Sequence, residues 1–338
     1  MPPCADEHRG HNYHLILAGL RGGKGVPESV VSHPAVFATF TAPSFGAVHG
    51  HRTKGKQLVA CRPRRDAERC RHGVRMSCGV KHHTADPCLG TPLCPECFDY
   101  AGTVLWNRLA PLLWKRSTTF IRRRLAMAAG VRVRELKGRC AVRFAKVAEY
   151  QLRGALHFHA VIRLDGVSED GSVVPPPAGF TAELLEQAIT ETVSDLAVVG
   201  VDGLPELRWG EEVHVRHLQR GAPEDLRAEA VAAYVAKYST KSAEGLSYGQ
   251  EGPSAHIRRV VETAWDLAFR REYRELRLAE AARDLGFRGH FSTRSRRYST
   301  SLTALRAAQR DHVRRRRVPN GGPVLDAWDR PEDEDQVV

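Results

Sequence analysis

Two histidines separated by a single residue are the clearest chemical signal in the sequence. His157 and His159 flank Phe158 in an alternating run that predicts a β-strand. Residues i and i+2 of a strand point to the same face, so both imidazoles project together. Two imidazoles on one face form half of a divalent-metal site. The alternative is a polar strand face that carries two unrelated histidines.

Glu149 supplies a third ligand if the strands predicted at 141–150 and 155–164 pair as a hairpin in one particular register. A three-residue loop ending at Gly154 places Glu149 opposite His157, whereas a two-residue turn places it on the other face. Gly154 suits the left-handed position that ends a three-residue loop. Two histidines and one carboxylate leave positions open for a phosphate oxygen, and this mixed donor set predicts Mg²⁺ or Mn²⁺.

Two tyrosines and two lysines share one face of a helix predicted at 222–241, namely Tyr234, Lys237, Tyr238 and Lys241. A phenol with a pKa of about 10 is a poor nucleophile at neutral pH. Nearby cations favour the phenolate, and a metal ion makes a phosphate more electrophilic. A tyrosine can then attack a phosphodiester and form a covalent phosphotyrosine. The alternative is a solvated helix face, and on chemistry alone either tyrosine fits.

A third motif, Phe-x-Thr-x-Thr at 37–41, precedes the other two along the chain. The three motifs in this order resemble those of the HUH endonucleases, the rolling-circle replication initiators. The sequence is most similar to the Rep initiators of actinobacterial plasmids and integrative conjugative elements. The resemblance covers roughly residues 15–310 and is carried by FATFTAPSFGAVH (37–49), PLCPECFDYAGTVLWN (92–107), KVAEYQLRGALHFHAVIRLDG (146–166), YVAKYSTK (234–241) and GFRGHFSTRSRRYSTSLTALR (286–306).

The resemblance implies His157 and His159 as metal ligands with Glu149 as the third. It implies Tyr238 as the nucleophile, because Lys241 follows at the family's Tyr-x-x-Lys spacing. Tyr234 stands in the same relation to Lys237 and stays an alternative. The expected fold is α+β, an HUH-type antiparallel sheet with the histidine pair on a central strand, flanking helices and the tyrosine helix across that face.

The function that the resemblance implies is replication initiation. The protein would nick and religate single-stranded or hairpin-extruded origin DNA through a 5′-phosphotyrosine, leaving a 3′-hydroxyl primer. A host helicase and polymerase are then possible partners. Alternatives are an HUH transposase or relaxase, which share the nicking step, and a non-catalytic zinc-containing DNA-binding regulator.

The cysteines predict a structural Zn²⁺ site inserted into the sheet domain at about 58–99. Cys94 and Cys97 form a two-cysteine knuckle, which needs a second pair of ligands. Cys70 and Cys78 are the favoured second pair, with Cys61 as the first substitute. The segment has few apolar residues, so a bound zinc can supply the folding energy that a local core cannot. A cluster of free thiols is the alternative.

The overall composition is that of a globular protein of one large domain or two smaller ones. The chain has 338 residues, a formal net charge of +12 and 42% hydrophobic residues, which excludes a disordered or fibrous chain. No apolar run reaches the ~18 residues of a membrane span. No secretory signal is recognised, so we expect a cytoplasmic protein without a membrane partner.

The positive charge is concentrated near the end of the chain. Residues 286–317 hold ten arginines and one acid, whereas the following residues hold six acids and one arginine. Arginine can bridge phosphates and an aromatic ring can stack on a base. The expected domains are an N-terminal segment (1–36), a nicking domain (37–255), a basic helical DNA-binding segment (256–317) and an acidic flexible tail (318–338). The expected DNA-binding residues are Arg288, His290, Arg294, Arg296, Arg297 and Tyr298.

Overall fold

The fold consists of one main antiparallel sheet with helices on both faces. The computed structural model describes residues 2–198, 206–218, 228–244 and 253–316, without the side chains of 2–6, 8, 238–244 and 312–316. In chain order the elements are α1 (Pro2–Arg21), β1 (Ala35–Phe40), β2 (Thr53–Lys54), β3 (Gln57–Leu58), α2 (Tyr100–Ala128), α3 (Val133–Leu136), β4 (Cys140–Tyr150), β5 (Leu156–Val167), β6 (Val173–Val174), α4 (Ala182–Asp195), β7 (Val213–His217), α5 (Ala228–Glu244), α6 (Ala255–Ala268), α7 (Leu278–Ala281), β8 (Ser292–Arg294) and α8 (Leu302–Arg316).

The sheet has six strands in the order β7-β1-β5-β4-β8, with β6 pairing β5 beyond that path. Every pairing is antiparallel, and the long strand β5 lies at the centre. The antiparallel sheet expected for an α+β protein is therefore confirmed. The predicted hairpin register is also found, because Glu149 lies directly opposite His157. Gly154 has a φ of 81°, the left-handed conformation that the three-residue loop requires.

The side chains of β5 point alternately to the two faces of the sheet, and each face is covered by an apolar layer. Phe158, Ala160 and Ile162 face the larger core, which α2, α4 and α6 complete. Val161 faces the opposite layer, which α1 and α5 cover. Because both faces of β5 are covered, the two histidines lie between the sheet and a helix layer.

Helices α2 and α6 each begin at a residue whose side chain caps the helix. The Asp99 side chain accepts a hydrogen bond from the backbone N–H of Gly102 at the start of α2. Ser254 accepts one from the N–H of Ile257 at the start of α6. Such caps satisfy backbone donors that have no partner within the helix. They fix where the two helices begin against the larger core.

The direction of α5 follows from two contacts at its first turn. Arg163, on the part of β5 far from His157, donates to the backbone oxygen of Gly19. Arg21, one half-turn further along α1, forms an ion pair with Glu229 in the first turn of α5. Helix α5 therefore begins at the Arg163 end of β5 and runs along the sheet towards His157.

The described parts of the predicted N-terminal and C-terminal segments pack on the same sheet as the predicted nicking domain. Helix α6 packs into the larger core and β8 pairs with β4, so residues beyond 256 belong to the same sheet and core. The N-terminal segment contains α1, which packs on the sheet. The predicted acidic tail lies outside the described residues. Among the residues that the structure describes, no helix is long and apolar enough to cross a membrane.

Candidate metal and tyrosine site

Three ligand atoms converge at the β4–β5 hairpin. The Oε2 atom of Glu149 lies 2.8 Å from Nε2 of His157 and 3.1 Å from Nε2 of His159. All three ligand atoms lie within 4.8 Å of one another, which is close enough for one metal ion. We call Glu149, His157 and His159 the Glu–His cluster. The hairpin register and the alternation of β5 bring its members together on one face.

Thr39 on β1 orients the more deeply buried histidine. Its Oγ1 lies 3.0 Å from Nδ1 of His159, and strand pairing places the two residues opposite each other. Donation from Nδ1 of His159 to Thr39 would leave the Nε2 lone pair available to a metal ion that Glu149 also binds. This is the arrangement by which a second residue fixes the tautomer and the ring orientation of a metal-binding histidine.

The protonation states in the Glu–His cluster suit metal binding. Burial raises the pKa of Glu149, but hydrogen bonds to His157 and His159 outweigh this effect and leave the pKa lowered. Burial lowers the pKa of His159 below its usual value, although Glu149 opposes that shift. A carboxylate and a neutral imidazole are the forms that bind a divalent cation.

Helix α5 brings a tyrosine against this cluster. The ring of Tyr234 meets the ring of His159 edge-on at 5.2 Å between centroids, and it meets Phe37 in the same way at 5.6 Å. Lys237 is exposed. Tyr238 and Lys241 lie on the same helix, but their side chains are outside the described residues. The structure thus brings Tyr234 to the predicted metal ligands.

The Cys-rich module, which we define as residues 49–97, holds two further clusters instead of one. Cluster A consists of Cys70, His72, Cys94 and Cys97. Cluster B consists of His49, Cys61, Cys78 and His82. The expected set of Cys70, Cys78, Cys94 and Cys97 is corrected at one position, where His72 stands instead of Cys78. The chain reverses direction between Cys70 and Cys78, since Arg69 pairs with Arg75, and Cys78 therefore joins cluster B.

The expected DNA-binding residues differ in how far their side chains are exposed. The side chain of Tyr298 is fully buried, with its ring against Gly19 and its hydroxyl directed at the backbone oxygen of Ile16, which corrects its expected role as a base-stacking residue. Arg294 is half-buried and donates to Asn12. The other four are exposed: Arg288, His290, Arg296 and Arg297.

The sequence left open whether His72, His82 or His83 completes the zinc site, and it gave no role as a ligand or a ligand partner to Thr39 or His49. Thr39 and His49 lie within the motif FATFTAPSFGAVH, and this motif was the available signal. His72 and His82 lie two and four residues after Cys70 and Cys78, respectively. Such short spacings are typical of metal-ligand pairs, and they could have indicated mixed cysteine and histidine sites.

Comparison with known proteins agrees with the replication motifs. Residues 2–338 match the protein family described as RepSA: Replication initiator protein, pSAM2. A curated relative from Streptomyces ambofaciens, named Replication initiator protein, is 43% identical over 331 residues. The alignment covers 92% of this chain and 67% of that relative. No solved structure shows a significant match.

Proposed function

Because this chain belongs to the RepSA family of replication initiator proteins, we propose that it is a metal-dependent HUH endonuclease that nicks and religates single-stranded origin DNA. The observation that carries the proposal is the convergence of the Glu–His cluster on a sheet face that a tyrosine-bearing helix crosses. The proposed product is a 5′-phosphotyrosine together with a free 3′-hydroxyl. That hydroxyl would prime rolling-circle synthesis by a host polymerase, with a host helicase separating the strands.

The Glu–His cluster fits Mg²⁺ or Mn²⁺, since it offers two imidazole nitrogens and one carboxylate oxygen. Such an ion supplies a Lewis acid that makes the scissile phosphorus more electrophilic. The tyrosine hydroxyl would lose its proton as its oxygen bonds to phosphorus. The bond from phosphorus to the 3′ oxygen would break, and the departing oxygen would take up one proton in return. Religation is the reverse, with the 3′-hydroxyl attacking phosphorus and the tyrosine oxygen leaving.

The direction of α5 supports Tyr238 as the nucleophile that the resemblance implies. The ring of Tyr234 lies between Phe37 and His159, and α5 runs from there towards the hairpin end of the sheet. Four residues of helix advance by about 6 Å. The backbone of Tyr238 is therefore one turn closer to the level of His157 than that of Tyr234. Tyr234 stays the alternative, because its ring contacts a ligand of the cluster.

The Cys-rich module is proposed to hold DNA beside this site. Residues 50–83 contain ten lysines and arginines against two acids, and nine of the ten basic side chains are exposed. The module touches the hairpin loop, since a Cβ added to Gly90 would lie 2.3 Å from the backbone carbon of Leu152. A structural Zn²⁺ in cluster A would fold this part of the module. Phosphates bound by the module would approach the Glu–His cluster from the loop side.

The exposed arginines near the end of the chain would extend this DNA-binding surface. Arg288, Arg296 and Arg297 carry exposed side chains in the basic segment. Contacts between arginine and phosphate give affinity without sequence specificity, and their strength falls with salt. We propose that these residues contribute to the affinity for origin DNA.

The test is a nicking assay on single-stranded oligonucleotides that tile the DNA flanking the gene. We expect a Mn²⁺-dependent cut and a covalent adduct on the 5′ phosphate of the product strand. His157→Ala should abolish cleavage. Tyr238→Phe should bind DNA without forming the adduct, whereas Tyr234→Phe should retain measurable nicking, since each change removes only a hydroxyl.

Each other outcome has a defined meaning. Adduct formation by Tyr238→Phe but not by Tyr234→Phe would assign the nucleophile to Tyr234. Adduct formation by both single variants would mean that the two tyrosines are interchangeable. Adduct formation by the double variant would mean that the nucleophile lies elsewhere. Specific DNA binding by the wild-type protein without any cut would favour the non-catalytic regulator.

A further inference from the structure

The ligands of the two clusters in the Cys-rich module alternate in pairs along the chain. The order is His49 and Cys61 in cluster B, then Cys70 and His72 in cluster A, then the second pair of cluster B and the second pair of cluster A. We propose that cluster B binds a second structural zinc, so that the module is a cross-braced two-zinc unit. This inference does not depend on the proposed nicking activity.

Separations between the ligand atoms of cluster B match those around one zinc ion. Nδ1 of His49 lies 3.1 Å from Nε2 of His82, and Sγ of Cys78 lies 3.4 Å from the same nitrogen. Zinc bonds of about 2.0 Å to nitrogen and about 2.3 Å to sulfur, at tetrahedral angles, give separations of about 3.3 Å between two nitrogens and about 3.5 Å between nitrogen and sulfur. The fourth ligand, Cys61, lies within 4.8 Å of the others.

Groups around cluster B orient its ligands as metal sites require. Nδ1 of His82 lies 2.6 Å from the carboxylate oxygen Oδ2 of Asp86, so the ring donates there and presents Nε2 to the cluster. The backbone N–H of Gly50 donates to Sγ of Cys61 at 3.1 Å, which holds this sulfur in position. Such outer contacts fix the tautomer and raise the basicity of ligands in protein metal sites.

The module has almost no apolar core of its own. Of residues 50–90, all of which the structure describes, the buried side chains are those of Cys61, Cys78 and His82. All three belong to cluster B. A segment of this length cannot fold by burying so little apolar surface, and bound metal is the usual substitute for a core. Two thiolates and two neutral imidazoles also balance the charge of one Zn²⁺.

Cluster B connects the module to the catalytic hairpin. The backbone of His49 donates to the oxygen of Thr91 and accepts from the N–H of Gly90, both at 2.9 Å. Gly90 packs directly on the backbone of Leu152 in the loop between β4 and β5. The proposed ion therefore fixes the strand of the module that contacts the hairpin carrying Glu149 and His157.

The experiment is a zinc count on the full-length protein by native mass spectrometry and by elemental analysis. We expect two tightly held zinc ions per chain. His157→Ala is measured in parallel, and two ions retained in that variant would place both outside the Glu–His cluster. Cys78→Ser should hold one ion or none. Cys88→Ser is the matched control, because this exposed thiol lies in the module but in neither cluster, and it should retain two ions.

One tightly held zinc in the wild-type protein would overturn the proposal. So would a Cys78→Ser variant that keeps the same zinc count as Cys88→Ser. The wild-type count needs no substitution, so it decides the question even if Cys78→Ser does not fold. Substitution with Co²⁺ gives an independent measurement, because binding of a second equivalent should add to the thiolate charge-transfer absorption. A cobalt titration that saturates at one equivalent would also refute the second site.

Discussion

The hydroxyl of Thr39 is predicted to determine how tightly the Glu–His cluster binds its metal ion. Thr39→Val replaces the hydroxyl with a methyl group and leaves the β-branched shape unchanged. The Nδ1 atom of His159 then loses a partner at 3.0 Å in a pocket where the His159 side chain is only 4% exposed. Water can hardly replace the lost partner at such a buried position.

The size of the effect follows from that burial. Leaving a buried polar group without its hydrogen bond costs about 1–3 kcal/mol. Removal of an outer partner from a metal-binding histidine typically costs about 10–100-fold in affinity, which corresponds to about 1.4–2.7 kcal/mol. The two ranges agree. We therefore expect the Kd of Thr39→Val for Mn²⁺ to rise by about 10–100-fold.

The assay is Mn²⁺ binding measured by calorimetry, with nicking measured across a range of Mn²⁺ concentrations. Thr41→Val is the matched control, since Thr41 lies two residues further along the chain and its hydroxyl donates to the backbone oxygen of Glu212 instead. Nicking by Thr39→Val should recover at saturating Mn²⁺, because Thr39 positions a ligand and takes no part in the chemistry. Equal Mn²⁺ affinities of the two valine variants would refute this reasoning.

Three further predictions concern stability and the proposed second zinc. Lys146 is buried with its amine nitrogen 3.9 Å from the centre of the Phe158 ring, and burial lowers its pKa to about 7. Between about pH 7 and about pH 10.4 the unfolded chain therefore binds more protons than the folded protein. The free energy of unfolding should rise with pH across that window. Thermal unfolding at several pH values should show this rise, and Lys146→Met should remove it; a rise of equal size in both proteins would contradict the assignment. Tyr298→Ala should lower the free energy of unfolding by about 3–5 kcal/mol in denaturant titrations. Substitution of the exposed Arg296 by alanine should weaken DNA binding with little effect on stability. A Tyr298→Ala variant that keeps its stability and loses DNA binding would restore a surface role for Tyr298. The zinc left in Cys78→Ser should pass to a chelator faster than either ion of the wild-type protein, since cross-braced sites support each other; equal rates would show that the two sites are independent.

The β4–β5 hairpin was predictable because its signals are local. Alternation with a period of two fixes which residues of β5 share a face, and one glycine at a left-handed position fixes the loop length. Together they permitted the register in which Glu149 lies opposite His157, and the structure has this register. The antiparallel sheet was expected from the family resemblance that the sequence motifs carry.

Thr39 and Tyr298 could not be placed by local signals. Thr39 meets His159 across 120 positions of sequence, and only the pairing of β1 with β5 brings them together. Tyr298 lies in an arginine-rich segment, and the composition of that segment indicated an exposed surface. The space for its ring is provided by Gly19 on α1, where a Cβ would lie 2.3 Å from the ring. A glycine within a distant helix gives no indication in the sequence of which aromatic ring it accommodates.

The partition of the metal ligands is the clearest case in which spacing is insufficient. Cys78 lies closer in sequence to Cys70 than Cys94 does, so a single-site interpretation joined Cys70 and Cys78. In an interleaved arrangement, ligand pairs that follow one another along the chain belong to different sites. The cysteine that is nearest in sequence to a given pair is then not its partner in the site. Short spacings identify pairs of ligands, but the path of the chain between pairs decides which ones share an ion. That path here returns to the β4–β5 hairpin through Gly90, so the same geometry that separates the clusters also places the module beside the hairpin that carries Glu149 and His157.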